Sequence, residues 1–214
     1  FIDVTEVNST WGGSNYQAMQ LKVAKQATHG VSILAAYTIS KWLSNVNENE
    51  SDTGGGQVST TQNYYNLAGE KSLSEADTPQ ALIVNTVVQL PFGPGKAVLG
   101  NAHGPLAKLV EGWSASGILI QQSGLPLVFS APITGGGNRP NYVPGVNPKL
   151  SSSRSTPAKV AEWFNTAAFA LPPAFTFGDV SRTEGIVRGP SLHNLDFALL
   201  KETQVVKRLQ VEFR

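Results

Sequence analysis

The chain has 214 residues, of which 16 are basic and 15 acidic, so its formal net charge of +1 gives no strong field for nucleic acid. It contains no cysteine, which excludes disulfides, thiolate metal sites and cysteine nucleophiles. Only 14% of the residues are charged, well below the roughly 25% usual for soluble domains. This composition is typical of β-rich surface proteins and outer-membrane barrels.

Apolar and polar residues alternate through most of the chain, which is the periodicity of a β-strand. In chain order, the alternation predicts strands at 16–25, 31–42, 80–90, 112–124, 125–131, 192–202 and 207–214. Short turns are predicted at 28–30 and near 202–204, and a single helical turn near 105–110. The predicted fold class is therefore all-β, an antiparallel meander of amphipathic strands.

Two long polar connections interrupt this meander, at about 44–79 and 132–190. Loops of that length are uncommon in a compact soluble domain. They are expected where strands alternate between short turns on one side of a membrane and long loops on the other. We therefore expect residues 1–214 to form a single β-domain within a transmembrane β-barrel. The alternative is a soluble β-sandwich or a filament subunit that buries the same apolar rows.

The apolar rows predict which face of the strands meets lipid. One such row is Leu82, Val84, Val88 and Leu90, and a second is Leu209, Val211 and Phe213. Aromatic side chains at strand ends commonly form girdles at the membrane–water interface. Trp42 and Trp113 are the residues that we expect there.

Candidate ligand contacts lie in the loops, where aromatic and polar side chains are free to meet a solute. The six candidates are Tyr64, Tyr65, Asn138, Arg139, Asn141 and Trp163. No paired histidine spacing, no G-x-S-x-G and no P-loop occurs, so we expect no catalytic residue, metal or cofactor. A carboxylate pair for glycoside hydrolysis among Glu48, Glu50 and Asp52 is the enzyme alternative, and no residue pattern favours it.

An ordered set of phrases resembles one known family. The phrases are "GGSNYQAMQLKVAKQATHGVSILAAYTISKWLSN" (12–45), "ADTPQALIVNTVVQLPFGPGK" (76–96), "LVEGWSASGILIQQSGLPL" (109–127), "NRPNYVPG" (138–145), "WFNTAAFALP" (163–172) and "GPSLHNLDFALLKETQVVKRLQVEFR" (189–214). Together they resemble the C-terminal barrel region of TonB-dependent outer-membrane receptors, in particular the Oar-like group of Acidobacteria. The order and spacing match over nearly the whole chain.

This resemblance implies a gated transporter in the bacterial outer membrane or at the cell surface. Members of that family close a 22-strand barrel around an N-terminal plug, are energised by the TonB complex, and import siderophores, cobalamin, glycans or peptides. Because the chain lacks a plug and has too few strands for that barrel, we expect a fragment of a larger barrel. Its expected partners are outer-membrane lipid and, through the missing plug region, the TonB complex, with no nucleic acid.

A second use of the same sequence stays open. An extracellular filament or surface-layer subunit without transport activity would self-associate through open strand edges, because unpaired edges recruit further strands.

Overall fold

The structure is a computed structural model that describes residues 12–28, 30–45, 61–132, 138–206 and 209–213. Strands account for most of the regular structure in these ranges. Two short helices, α1 (Gly104–Val110) and α2 (Thr156–Ala161), and a 3₁₀ turn at Thr166–Ala168 complete it. The strands are β1 (Ser14–Thr28), β2 (Val31–Ser44), β3 (Ser72–Leu73), β4 (Gln80–Gln89), β5 (Trp113–Gln122), β6 (Pro126–Leu127), β7 (Asn141–Tyr142), β8 (Phe169–Ala170), β9 (Glu184–Arg188), β10 (Leu192–Val206) and β11 (Leu209–Phe213).

The main sheet has the strand order β1-β2-β4-β5-β10-β11, and β3 pairs with the end of β2. The registers of β2 with β4, β4 with β5, β5 with β10 and β10 with β11 are all antiparallel. Two further pairs, β6 with β9 and β7 with β8, form small separate sheets. The predicted all-β antiparallel meander is confirmed, as is the helical turn near 105–110.

Two local predictions were wrong. The strand expected at 125–131 shortens to Pro126–Leu127, where Pro126 has no N–H to donate to a ladder. The turn expected near 202–204 is instead part of β10, in which Glu202, Thr203 and Gln204 pair with β11. Polar residues there do not end the strand, because they continue the alternation and find partners across the sheet.

The chain divides into two compact units. Unit 1 comprises 1–18, 40–79 and 124–190, and unit 2 comprises 19–39, 80–123 and 191–214. Strands β1 and β2 contribute residues to both. Among the described residues, no helix is both long and apolar enough to cross a membrane.

Unit 2 is a sheet with two unlike faces, which the strand registers define. On one face, Ala35, Val84, Leu119 and Leu195 lie side by side across four strands. We call this the apolar face. The next residue of each strand points to the opposite face, which we call the mixed face. Its row consists of Leu34, Asn85, Ile118 and Asp196. Because side chains of a strand point alternately to opposite faces, successive rows along the sheet belong in turn to one face and the other.

The apolar face is most exposed on β10 and β11. Leu195 is 69% exposed and Phe197 72% exposed, and Val211 and Phe213 of β11 are exposed as well. In β1, the alternating residues Met19, Leu21 and Val23 are each more than half exposed. Large exposed apolar patches are rare on soluble monomers and mark surfaces that meet lipid or another chain.

Unit 1 has the opposite character, since its interior is polar. Among the described residues, all ten buried polar or charged side chains belong to it: Ser44, Glu70, Ser72, Ser74, Glu75, Asp77, Arg139, Arg182, Thr183 and Glu184. A small aromatic cluster lies beside them, in which Phe169 contacts Phe129, Phe164 and Tyr142 with ring centroids 4.6 to 5.7 Å apart. The long connections are thus folded around hydrogen bonds and ion pairs.

Candidate functional site

The ion pair between Arg139 and Glu70 joins two distant parts of unit 1. Its partners are 69 residues apart in sequence, and their side chains are only 4% and 3% exposed. Arg139 also donates to the carbonyl oxygen of Val180 at 3.3 Å, and Glu70 accepts from the backbone N–H of Asn63 at 3.2 Å. A buried charge needs such a partner because water cannot solvate it. This pair therefore holds the segments around Asn63 and Val180 together.

A second ion pair of unit 1 joins Arg188 and Asp77. Arg188 Nη2 donates to Asp77 Oδ2 at 2.6 Å, and its Nη1 donates to the carbonyl oxygens of Asp77 and Gly124. The other oxygen of Asp77, Oδ1, accepts from the backbone N–H of Trp42 at 2.6 Å. Buried Arg182 donates to the carbonyl oxygen of Ser44 at 2.9 Å. The two connections are in this way tied to the end of β2.

Glu184 is the buried carboxyl of this interior whose ionisation is perturbed. Burial raises its pKa above the ordinary range, and hydrogen bonds from the backbone of Ile186 and Val187 oppose this effect in part. The Tyr142 hydroxyl also donates to Glu184. The carboxyl thus receives donors from both sides, which is the arrangement that a buried polar group requires.

A cavity of about 210 Å³ opens on the surface of unit 1. One wall is Trp163, whose indole Nε1 donates to the carbonyl oxygen of Arg188 at 2.7 Å and whose side chain is 40% exposed. Its lining contains four basic side chains and no acidic one: Lys149, Arg154, Lys159 and Arg188. We call it the Trp163 cavity. Its electrostatics suit an anion.

The six predicted ligand contacts are all in unit 1, but in different settings. Tyr64 and Tyr65 are exposed at a turn, where the Tyr65 N–H donates to Asn63 Oδ1 at 3.0 Å. Arg139 lies in the buried ion pair, and Asn141 Oδ1 accepts from the Asp179 N–H at 2.9 Å. Asn138 is half-buried, and Trp163 lines the cavity. Their contact with a ligand remains a prediction.

The apolar face of unit 2 has a polar and aromatic border at each end. At one end, Tyr37, Leu82, Gln121 and His193 form a row. At the other, Trp113 of β5 lies opposite Lys201 of β10. Eight residues separate these borders along β5, which is about 27 Å of strand and about 20 Å of height at a tilt of ~40°. This is close to the apolar band of roughly 25 Å in outer-membrane barrels.

Trp113 is surrounded by apolar side chains at its end of the sheet. It lines an apolar surface cavity with Leu90, Phe92, Val98, Leu99, Leu109, Val110 and Leu199. Its Nε1 donates to the carbonyl oxygen of Leu109 at 3.0 Å. Trp42 lies instead in the unit 1 part of β2, where its Nε1 donates to Ser14 Oγ and its ring meets Tyr16 edge to face. The interface role of both residues remains a prediction.

Sequence reasoning missed three groups of residues. The first is the border residue Tyr37, which lies on the same face of β2 as Ile33 and Ile39. The alternation of residues in β2 could have placed it on that face. The ion pairs and the basic lining of the Trp163 cavity join residues far apart in sequence, and no local pattern indicates them. Glu48, Glu50 and Asp52, the enzyme alternative, lie outside the described residues. Within the described ranges, no group of three or more His, Asp or Glu side chains is arranged to hold a metal ion.

Comparison with protein families decides between the barrel and the soluble alternatives. The family model described as an outer membrane beta barrel domain matches residues 2–214. The chain belongs to this outer-membrane β-barrel family. Comparison with curated proteins and with solved structures finds no significant match.

Family membership gives the location of the chain. The protein is located in the bacterial outer membrane. There, strands satisfy their backbone hydrogen bonds within the sheet, because lipid offers none. The described strands are part of such a barrel and form an open sheet.

Proposed function

We propose that this chain is part of the barrel of a TonB-dependent outer-membrane transporter that takes up a large solute, such as a siderophore, a glycan or a peptide. The observation that carries the proposal is the ordered folding of the long connections in unit 1. Its two long connections fold around buried ion pairs, which hold their backbone in a fixed arrangement. Recognition of a large solute requires such an ordered surface. The ordered family phrases from 12–45 to 189–214 also support the proposal.

The exposed pair Tyr64 and Tyr65 is the first candidate for solute contact. Its turn is held through Asn63, whose N–H donates to Glu70, and Glu70 is paired with Arg139. Exposed aromatic side chains on a fixed backbone offer large contact area at little conformational cost. A solute would therefore meet a preorganised patch.

We further propose the partners that the family resemblance implies. These are outer-membrane lipid on the apolar face, the TonB complex through a plug region, and further strands at the sheet edges. We propose no catalytic activity and no nucleic-acid partner. Trp113 is proposed to lie at the lipid interface, since it borders the apolar face and is held by Leu109.

Uptake of labelled siderophores, glycans and peptides by cells that carry the intact protein tests this proposal. We expect one solute class to be accumulated, and accumulation to stop when the TonB complex is inactivated. Replacing Tyr64 and Tyr65 together by serine should reduce uptake, while Leu171→Ser, at another exposed apolar position of unit 1, should not. Uptake that continues without TonB would show a passive pore instead, and regular fibres in electron micrographs would favour the filament alternative.

A further inference from the structure

The Trp163 cavity is built by two separate stretches of unit 1. The stretch 149–163 supplies Lys149, Arg154, Lys159 and Trp163, and β9 supplies Arg188. At about 210 Å³ it is smaller than the roughly 300 Å³ at which pockets for drug-sized ligands begin. It suits one small group of a ligand and not a whole siderophore or peptide.

The two arginines of the cavity are already engaged. Arg188 is paired with Asp77, and Arg154 donates to the carbonyl oxygens of Ala158 and Glu162 at 3.1 and 2.6 Å. In the part of the chain that the structure describes, the ammonium groups of Lys149 and Lys159 have neither a carboxylate nor a hydrogen-bond partner. The cavity therefore carries uncompensated positive charge from two lysines.

These lysines favour phosphate over carboxylate as the bound anion. Carboxylates are matched best by the planar fork of arginine, and the terminal nitrogens of both arginines already have partners here. Lysine binds phosphate as a point charge and is a common phosphate ligand. Ser152, an exposed residue of the same lining, can donate a further hydrogen bond through its hydroxyl.

Trp163 adds a flat wall beside this charge. Its Nε1 is bonded to the carbonyl oxygen of Arg188, which fixes the ring orientation, and its side chain is partly exposed. The face of an aromatic ring carries partial negative charge, so it attracts the weakly positive C–H groups of a sugar ring. A cationic ligand is disfavoured by the ammonium groups of Lys149 and Lys159, which are unpaired among the described residues.

We propose that the Trp163 cavity binds a phosphorylated sugar, with Lys149 and Lys159 holding the phosphate and Trp163 lying against the sugar ring. The sugar phosphate is either a free solute or the headgroup of a phosphorylated glycolipid, because both present the same chemistry. The inference rests on the cavity alone and does not depend on TonB-driven transport.

The test is direct binding to the protein purified from outer membranes in lauryldimethylamine oxide, a detergent with neither sugar nor phosphate. Titration calorimetry with glucose 6-phosphate should give measurable binding that weakens as NaCl is raised, because salt screens the attraction. Glucose should bind at least about tenfold more weakly. Inorganic phosphate should fall between the two, since it lacks the ring.

Matched variants localise the binding. Lys149→Gln with Lys159→Gln should weaken glucose 6-phosphate binding by about tenfold or more, because hydrogen bonds to charged groups are lost. Lys71→Gln with Lys96→Gln makes the same change in net charge at exposed positions outside the cavity and should leave binding unchanged. Trp163→Phe should weaken glucose 6-phosphate more than inorganic phosphate.

Phosphatidylcholine vesicles with and without lipid A, a phosphorylated glycolipid, distinguish the two sources. Preference for lipid A vesicles over glucose 6-phosphate supports a headgroup, and the reverse supports a free solute. The proposal is overturned if neither binds, if glucose binds as well as its phosphate, or if the control pair of lysine variants loses as much binding as the cavity pair. Because none of these measurements involves uptake, failure here leaves the transport proposal standing.

Discussion

The Lys201 ammonium lies 5.2 Å from the centroid of the Trp113 ring and donates hydrogen bonds to the carbonyl oxygens of Lys108 and Glu111 at 2.9 and 2.7 Å. One side chain thus connects β10, the first residue of β5 and the end of helix α1. The last carbonyls of a helix have no partner within it, so a cation there completes their hydrogen bonding. The contact fixes the connection between β4 and β5 beside Trp113.

Replacing Lys201 by glutamine should loosen helix α1. The cation–π contact and the charged hydrogen bonds are lost together, so we expect the local opening free energy to fall by ~1–2 kcal/mol. Hydrogen exchange of the amides in 104–111, measured in micelles, checks this. Lys108→Gln is the matched control, because the Lys108–Glu111 pair at 2.8 Å is exposed and should contribute under about 1 kcal/mol. An equal increase in hydrogen exchange for Lys201→Gln and Lys108→Gln would contradict the role of Lys201 in holding helix α1.

Arginine on the two faces of β5 should have unequal effects. Leu119→Arg places a charge on the apolar face, which we propose to meet hydrocarbon, and should cost about 2–4 kcal/mol of folding free energy in a bilayer. Ile118→Arg, one residue away on the mixed face, should cost clearly less if that face is turned to the lumen, as we propose. Urea unfolding in phospholipid vesicles gives both values. A larger loss for Ile118→Arg would reverse the assignment of the faces.

Removing one partner of the buried pair in unit 1 should open the long connections. Arg139→Met leaves the Glu70 carboxylate buried without its cation, which should cost about 3–5 kcal/mol. Limited proteolysis should then cut within 61–79 and 138–190. The double variant Glu70→Leu with Arg139→Met should recover much of the resistance, since no uncompensated charge remains. No recovery would mean that the hydrogen bonds to Asn63 and Val180 matter more than the charge.

Glu184 should make the stability of unit 1 depend on pH. Its native pKa is raised by burial, so the unfolded state ionises first, near the ordinary value of about 4.3. Stability is therefore greatest below that value and falls as the pH rises, until Glu184 also ionises in the native state. Glu184→Gln should remove this pH dependence of stability. The variant should therefore become more stable relative to the parent as the pH rises from about 4.3 to the raised native pKa of Glu184. Protease resistance of unit 1 across this range measures it, and parallel curves would contradict the prediction.

The sequence by itself determined the strands of the sheet and their two faces. Side chains of a strand alternate in direction, so the order of residues in 31–42, 80–90 and 192–202 already separates an apolar side from a mixed one. Helix α1 was also predictable in position. The turn near 202–204 was not, because a polar stretch is compatible with either a turn or a strand, and only pairing with β11 decides.

Only the tertiary structure decided which distant residues meet. Glu70 and Arg139 are 69 positions apart, and Lys159 of helix α2 shares a cavity with Arg188 of strand β9. A local sequence pattern predicts which face of a strand a side chain lies on. It does not predict how the connections between strands fold. The strands could therefore be predicted from periodicity, while the polar interior of unit 1 and its cavity depend on long-range contacts that form only when the connections fold.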